Sequence, residues 1–532
     1  MSTKEKPQVD DSQLDIETAV DGSTGERSCV EGEPNAELAE QDVFGAAGEG
    51  DVDFHTLTWP HAAVLISKVQ IGTGILGIPS TFDTLGFVPG LISLIIICSI
   101  TTYGGLLVTK MRLIHPELHS PSDLGKILCG GNSYFAGVFA FLYWVLLVMV
   151  CSAGILSTVL ALNAVSLHAI CTVAFTGIVA AATILVGGGM RQLMKVAWLS
   201  WVGVISVIAS VWILVIVMLT KTYPLAELGQ TGTVNRNVVG NSDFASAVSA
   251  CNTQIFAILG SVTFSSISAE MKKPRDFAKA VWWGQGFVIS QYIIIGVIVY
   301  AKAGQYVTSP ALGSAGVLFK RICYGLVIPA SFISSIIYSH MAAKQMFVAA
   351  LRGSRHLTKP TLIHWAVWLS FSVFVTVLAL ILAAAIPLFN PLLSVIGSTV
   401  GSLFAIMVAG YTSLYILGVS DDIEVKIHQK EHDDEENSDS SQVPKPSKEL
   451  QHRKAFQAVR NDWLSASYRA AFTSERRTWK RKLNFFAGQF IVAGGAFLLV
   501  GGTYGSVVGI IDAYSSGAIA GPFSCADNSN ST

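Results

Sequence analysis

Residues 68–79 read KVQIGTGILGIP. They lie within an apolar run covering about residues 59–83 and place Gly72, Gly74, Gly77 and Pro79 inside it. A helix crossing the ~30 Å hydrocarbon core of a bilayer needs about 20 mostly apolar residues, so this run is long enough to span. In a helix interior glycine costs ~1 kcal/mol and proline ~3 relative to alanine. Three glycines and a proline within residues 72–79 therefore predict local unwinding at mid-membrane. Unwound backbone at that depth is tolerated where it is buried in protein or lines a cavity. One reading is a discontinuous helix whose freed N–H groups, at the start of its outer half, hold an anion. The competing reading is close helix packing through small residues.

The rest of the chain supplies the context for such a break. Charged residues are 13% of the 532 and apolar types 51%, against ~25% charged in ordinary soluble domains. The mean hydropathy is +0.53. Too little charge is present to cover the surface of three or four soluble domains. Ten further apolar runs follow, at about 86–110, 134–162, 165–186, 194–219, 245–269, 279–303, 318–349, 361–387, 392–418 and 486–512. None alternates as a membrane β-strand would. The expected fold class is an all-α integral membrane protein with eleven transmembrane helices. The eight cysteines are too sparse for a secreted disulfide scaffold. Cys98, Cys151, Cys171, Cys251 and Cys323 fall in apolar runs and read as small packing residues. A net charge of −1 gives no sign of nucleic-acid binding.

Lys and Arg set the expected orientation. With the N-terminus in the cytosol, the short inner loops carry 13 of them and the outer segments 5. The C-terminal tail, about 513–532, is then extracellular, and its Asn530-Ser531-Thr532 sequon lies too near the end to be used. Residues 1–55 hold fifteen Asp/Glu against three Lys/Arg and read as a disordered acidic cytosolic tail without a signal peptide. The cytosolic loop 419–482 is acidic first, with EHDDEENSDSSQ, and basic afterwards. Ala455, Phe456, Val459, Trp463 and Leu464 with interleaved arginines fit an amphipathic helix on the inner leaflet. A plain basic juxtamembrane segment fits equally well.

The sixth run is unusually polar: Asn252, Gln254, Gly260, Ser261, Thr263, Ser265, Ser266 and Ser268 lie within it. Single hydroxyls can bond back to their own helix, but the cluster suggests a second break beside a cavity. Runs one and six are five apart, so a second unit of five begins on the opposite side of the membrane. This gives a 5+5 inverted repeat, about 56–219 and 245–418, with discontinuous helices 1 and 6 plus one extra helix at about 483–512. No residue-level identity between the halves is evident. Paired breaks in inverted halves point to a transporter substrate site at the midplane.

Four features together resemble the amino acid/auxin permease family, in its fungal branch of neutral amino acid permeases. They are GTGILGIP with LGFVPG (85–90), AEMKKPRDF (269–277), YSHMAAKQMFV (338–348) and the count of eleven spans with a cytosolic N-terminus. The resemblance covers about residues 55–418 and, more weakly, the eleventh run. It implies a LeuT-like fold importing amino acids, with protons as the common coupling ion and sodium in animal relatives. By likeness the substrate carboxylate meets the backbone of Ile71, Gly72, Thr73 and Gly74, and the ammonium meets carbonyls near Gly260. Selectivity would come from the third, sixth and eighth spans.

The residues themselves agree with a neutral ligand. Asp83, Glu270 and Asp512 sit at span ends, and no acid falls near the middle of a span. Ile71, Ile75, Leu76, Ile258, Leu259, Val262 and Phe264 suit an aliphatic or aromatic side chain. With Gly72, Thr73, Gly74, Gly77, Gly260 and Ser261, all but Leu76 form the candidate substrate-binding set.

Three ionisable residues are coupling or gating candidates. Lys68 lies one turn before Gly72, too deep to snorkel easily, and Glu270 is a candidate partner. Glu270 pairs equally well with Lys272 or Lys273. His340 titrates in the range of a proton relay, although a single buried histidine is more often a structural hydrogen bonder. Lys4 and Lys6 in the tail are candidate sites for ubiquitin and the endocytic machinery. No cofactor or metal motif is present, and the protein is not expected to be an enzyme. The expected partners are neutral L-amino acids, protons and the lipid bilayer, and the expected location is the plasma membrane. A vacuolar transporter of the same family and a non-transporting amino acid sensor remain the alternatives.

Overall fold

The computed structural model describes residues 57–189, 193–225, 230–351, 354, 361–419, 463–472, 479–515 and 521–529. Among them there are eight helices long and apolar enough to span, and eleven spans when each of three bent pairs counts as one. Five of the single spans are Phe87–Ile114, Ser133–Ser166, Thr172–Gly189, Leu193–Thr220 and Phe277–Ala303; the other three are Val317–Ala350, Leu362–Ala385 and Trp479–Ser515. The fourth begins later than expected, because the third continues to Ser166 and Leu167 closes it in the left-handed region at φ 56°.

The bent pairs are the first, sixth and tenth spans. Trp59–Gln70 and Thr73–Leu85 meet at 49°, Phe244–Ala257 and Leu259–Ala269 at 43°. The third bend, 45° between Phe389–Gly401 and Leu403–Val419, was not expected from the sequence. Two π-turns, Gly397–Gly401 and Leu403–Met407, flank it. A Cβ on Gly397 would lie 2.0 Å from the Asn252 carbonyl oxygen, so the bend lets the tenth span press against the sixth.

The first and sixth spans run antiparallel. Leu57, just before the first, pairs with Met271, just after the sixth, in the one isolated bridge among the described residues. Leu57 N–H donates to the Glu270 carbonyl at 3.1 Å, and Lys272 N–H to Leu57 at 2.9 Å. Pro60 starts the first helix, where its missing N–H is no loss. Asp243 caps the sixth by accepting from the N–H groups of Ala245 and Ser246. The broken spans are thus in inverted halves, five apart in order.

The face where the first span begins is called the starting face here, and the other the opposite face. On the opposite face two loops form a cover. Asn237 and Val238 accept from the N–H groups of Phe87 and Val88. Gly86 turns the chain at φ 87°, and a Cβ there would be 2.2 Å from Gly240 N, which explains a glycine in LGFVPG. Ala311–Ala315 is wholly buried and packs on the turn Thr73–Gly77.

Cys171 is not a packing residue: it forms a disulfide with Cys525. It stands in the turn ahead of the fourth span, where the C-terminal tail returns to meet it. Thr172 Oγ1 donates to the Ala526 carbonyl at 2.7 Å and Phe523 N–H to Ala384 at 3.1 Å. Cys98, Cys151, Cys251 and Cys323 are free. Of the 451–482 segment, Trp463–Phe472 is described and helical and 479–482 begins the eleventh span, while Ala455, Phe456 and Val459 of the expected amphipathic helix lie outside the described residues. The Trp463 indole donates to the Leu128 carbonyl at 2.7 Å, and Ala466, Ser467, Ala470 and Ala471 are buried while Leu464 and Tyr468 are exposed. The 1–55 tail, Lys4, Lys6, the acidic run and the Asn530 sequon lie outside the described residues.

Peptide mapping without reductant is expected to recover Cys171 and Cys525 in one cross-linked species. Cys525→Ser should speed protease cleavage of the C-terminal tail while leaving the membrane core intact. Recovery of both cysteines as free thiols would contradict this pairing.

Candidate functional site

The two interrupted spans meet at their breaks. In the first, Ile71 N–H still reaches the Ser67 carbonyl at 2.8 Å, but Gly72 N–H turns back to Gln70 at 2.9 Å and ends the helix. A 3-10 turn, Thr73–Gly77, follows before Ile78 restores the α-helix. Its first N–H groups, from Thr73 and Gly74, have no acceptor within the turn. In the sixth span the helix stops at Ala257 and a 3-10 turn, Leu259–Thr263, intervenes.

Glycine lets the breaks touch main chain to main chain. A Cβ on Gly74 would lie 2.6 Å from Ala257 Cα, and one on Gly260 only 2.3 Å from the Val69 carbonyl oxygen. Tyr292, on the seventh span and wholly buried, places its hydroxyl 2.9 Å from the Gln70 carbonyl oxygen and 2.6 Å from that of Ala257. Thr263 Oγ1 donates to the Gly260 carbonyl at 2.8 Å.

Between the breaks lies a cavity of about 260 Å³. It runs from the midplane toward the starting face, where Leu65, Lys68, Ile267 and Met341 line it. Tyr143, Leu146, Leu147 and Val150 come from the third span, Val204 from the fifth, Ile333 and Tyr338 from the eighth. No Asp or Glu is among the described lining residues. Its size falls just below the ~300–1,000 Å³ range of small-molecule sites, which suits a metabolite and not a peptide.

Seven of the twelve candidate binding residues line this cavity: Ile71, Gly72, Thr73, Gly74, Leu259, Gly260 and Val262. Ile75, Gly77 and Ile258 are buried beside it. Gly77 instead faces Asn390, Thr253 and Leu393. Ser261 and Phe264 line a smaller cavity of about 50 Å³ between the second, sixth and tenth spans. Much of the sixth span's polarity is structural. Gln254 bonds Thr81, the Gly90 carbonyl and Ser93, and Thr253 and Ser268 bond back within their own helix.

The three ionisable candidates go to different places. Lys68 lines the cavity with its Nζ 5.2 Å from the Trp201 ring centroid, a cation–π contact. Glu270 lies outside the spans at the starting face. Burial pushes its carboxyl above the usual range, and Lys344 on the eighth span pulls it back down. His340 turns away from the cavity to stack edge-on against Trp368, centroids 5.0 Å apart. Sequence reasoning did not find Tyr292, Tyr143, Tyr338 or Trp201. They sit in spans without interruptions, where nothing in the local pattern marks one face as the one that meets a ligand.

Residues 55–429 match the family described as transmembrane amino acid transporter protein, and the chain belongs to that family. A transmembrane transporter of Fusarium pseudograminearum is 28% identical over 92% of this chain and 91% of its own. The N amino acid transport system protein of Neurospora crassa is 26% identical over 90% of each. Among solved structures, the manganese transporter of Eremococcus coleocola is 12% identical with a TM-score of 0.41, over 85% of this chain and 94% of that one. A nucleobase-cation-symport-1 family transporter in a closed conformation is 11% identical with a TM-score of 0.44, over 80% and 95%.

The surroundings of Gly260 and Gly72 predict opposite outcomes for the same substitution. Gly260→Ala drives a methyl into the Val69 backbone and is expected to lower amino acid uptake about tenfold or more at equal surface abundance. A methyl on Gly72 meets nothing within 4 Å, so Gly72→Ala should keep the folded protein at its native abundance. Equal uptake by Gly260→Ala and the native chain would contradict the contact between the breaks.

Proposed function

We propose that the chain is a secondary active transporter that imports neutral L-amino acids, aliphatic and aromatic, by proton symport with alternating access. The observation that carries this reading is the cavity between the two breaks. One side offers unpaired N–H groups at the start of a 3-10 turn, fit for a carboxylate. The other offers carbonyls at the ends of broken helices, fit for an ammonium. A zwitterion's two charges match that pair of ends. The walls are apolar and aromatic, and their described residues carry no acid that would hold a cationic side chain.

Membership of an amino acid transporter family supports the substrate class. The Neurospora relative, named for amino acid transport, supports it further. The closed cover on the opposite face, with a cavity reaching the other way, corresponds to one end state of an alternating-access cycle.

The Lys/Arg bias supports a cytosolic starting face. The disulfide between Cys171 and Cys525 lies on the opposite face, which fits a face turned away from the reducing cytosol; the proposed location is the plasma membrane. Proton coupling draws on Glu270, because a carboxyl held above its usual range accepts a proton at milder acidity. Lys68 and His340 are the other coupling or gating candidates, and the cytosolic tails remain candidates for ubiquitin attachment.

Purified protein in liposomes should exchange labelled leucine or phenylalanine in counterflow and take up lysine far more slowly. Lysine uptake matching that of leucine would contradict the neutral site. In cells, uptake should rise as external pH falls from about 7.5 to 5.5, collapse with a protonophore and persist when sodium is replaced. Dependence on sodium would reject proton coupling.

A further inference from the structure

The seventh span contributes to neither break, yet one of its side chains reaches both. Tyr292 is 0% exposed, and its hydroxyl is within hydrogen-bond distance of the Gln70 and Ala257 carbonyl oxygens. These carbonyls end the first half of the first span and the first half of the sixth. Both also belong to residues that line the cavity. The phenol has one proton, so it can donate fully to only one of the two carbonyls at a time. The remaining oxygen contact is acceptor to acceptor and lacks a proton. A ligand ammonium, with three donors, is the group that completes such a cluster.

We propose that Tyr292 is a positioning residue of the amino acid site. Its hydroxyl ties the two breaks together and sets the spacing of the carbonyls that receive the substrate's ammonium. This rests on the functional reading above and adds a residue and a span to it. Phenylalanine at this position would keep the packing and remove only the tie. The two breaks would then hold their carbonyls independently, and the loss would fall on the ammonium end of the ligand alone.

The test compares two competitors of labelled leucine uptake: phenylalanine, and phenyllactate, which has a hydroxyl where phenylalanine has its ammonium. Tyr292→Phe is expected to weaken inhibition by phenylalanine about fivefold and to leave inhibition by phenyllactate unchanged. Tyr300→Phe is the control. It lies on the same helix, and its hydroxyl meets Asn237 in the cover, away from the breaks. It should change neither competitor. Equal weakening of both competitors, or a fall in melting temperature that Tyr300→Phe reproduces, would mean a packing role and overturn the inference. Unchanged inhibition by phenylalanine would overturn it as well. If the native chain ignores phenylalanine altogether, the functional reading itself fails, and that is seen before any variant is measured.

Discussion

A peptide group released from its helix in the middle of a bilayer finds no water there, and leaving it unpaired costs several kcal/mol. That constraint organises this molecule. The first and sixth spans each break, and the released groups find partners both on another span and a few residues along the same chain. The Tyr292 hydroxyl reaches a carbonyl from each break. Thr263 takes the Gly260 carbonyl, and Ser80 takes that of Gly77 at 2.8 Å. Thr73 and Gly74, which open the 3-10 turn, line the cavity, and their N–H groups have no acceptor within that turn. The proposed site is thus the part of the break whose main-chain groups keep hydrogen-bonding capacity to spare.

Holding two breaks against each other requires backbones to approach more closely than side chains normally allow. Lipid tails are as apolar as leucine, so burial gives no drive for helices to associate, and packing must do it. Small residues recur at these crossings. A Cβ on Gly154 would fall 2.7 Å from Ser335 Oγ, joining the third and eighth spans. One on Gly502 would fall 1.9 Å from Asn252 Nδ2, where the eleventh span meets the sixth. The extra span is thus built against the outside of a broken one.

Much of this was legible in the sequence, and the reasons are local. The break at Gly72–Pro79 shows because glycine and proline penalise any helix. The eleven spans show because length and hydropathy are properties of contiguous residues. The tenth-span bend escaped because GSTVGS (397–402) carries only two glycines and no proline. Cys171 was misread because its partner is 354 residues away, and no local pattern announces a tail that folds back. Of the binding set, Ile71, Gly72, Thr73, Gly74, Leu259, Gly260 and Val262 line the cavity, while Gly77, Ser261 and Phe264, on the same stretches, face other spans. Reading a whole stretch as the site ignores that a helical turn points its side chains in every direction. Tyr292 and Tyr143 were invisible for the complementary reason, since an unbroken apolar span gives no clue to its inward face.

The cover on the opposite face and the cavity reaching toward the starting face describe one arrangement of the same parts. Ala311–Ala315 presses on the turn Thr73–Gly77, so any opening on that side must move the loop and the first break together. The Leu57–Met271 bridge ties the starting-face ends of the broken spans to each other, main chain to main chain. The most direct check of the account is an experimental structure of the protein with phenylalanine bound. It should find the carboxylate against the N–H groups of Thr73 and Gly74, and the ammonium against the carbonyls beside Tyr292. Uninterrupted, fully paired helices through residues 70–75 and 257–261, or a ligand seated away from both, would contradict it.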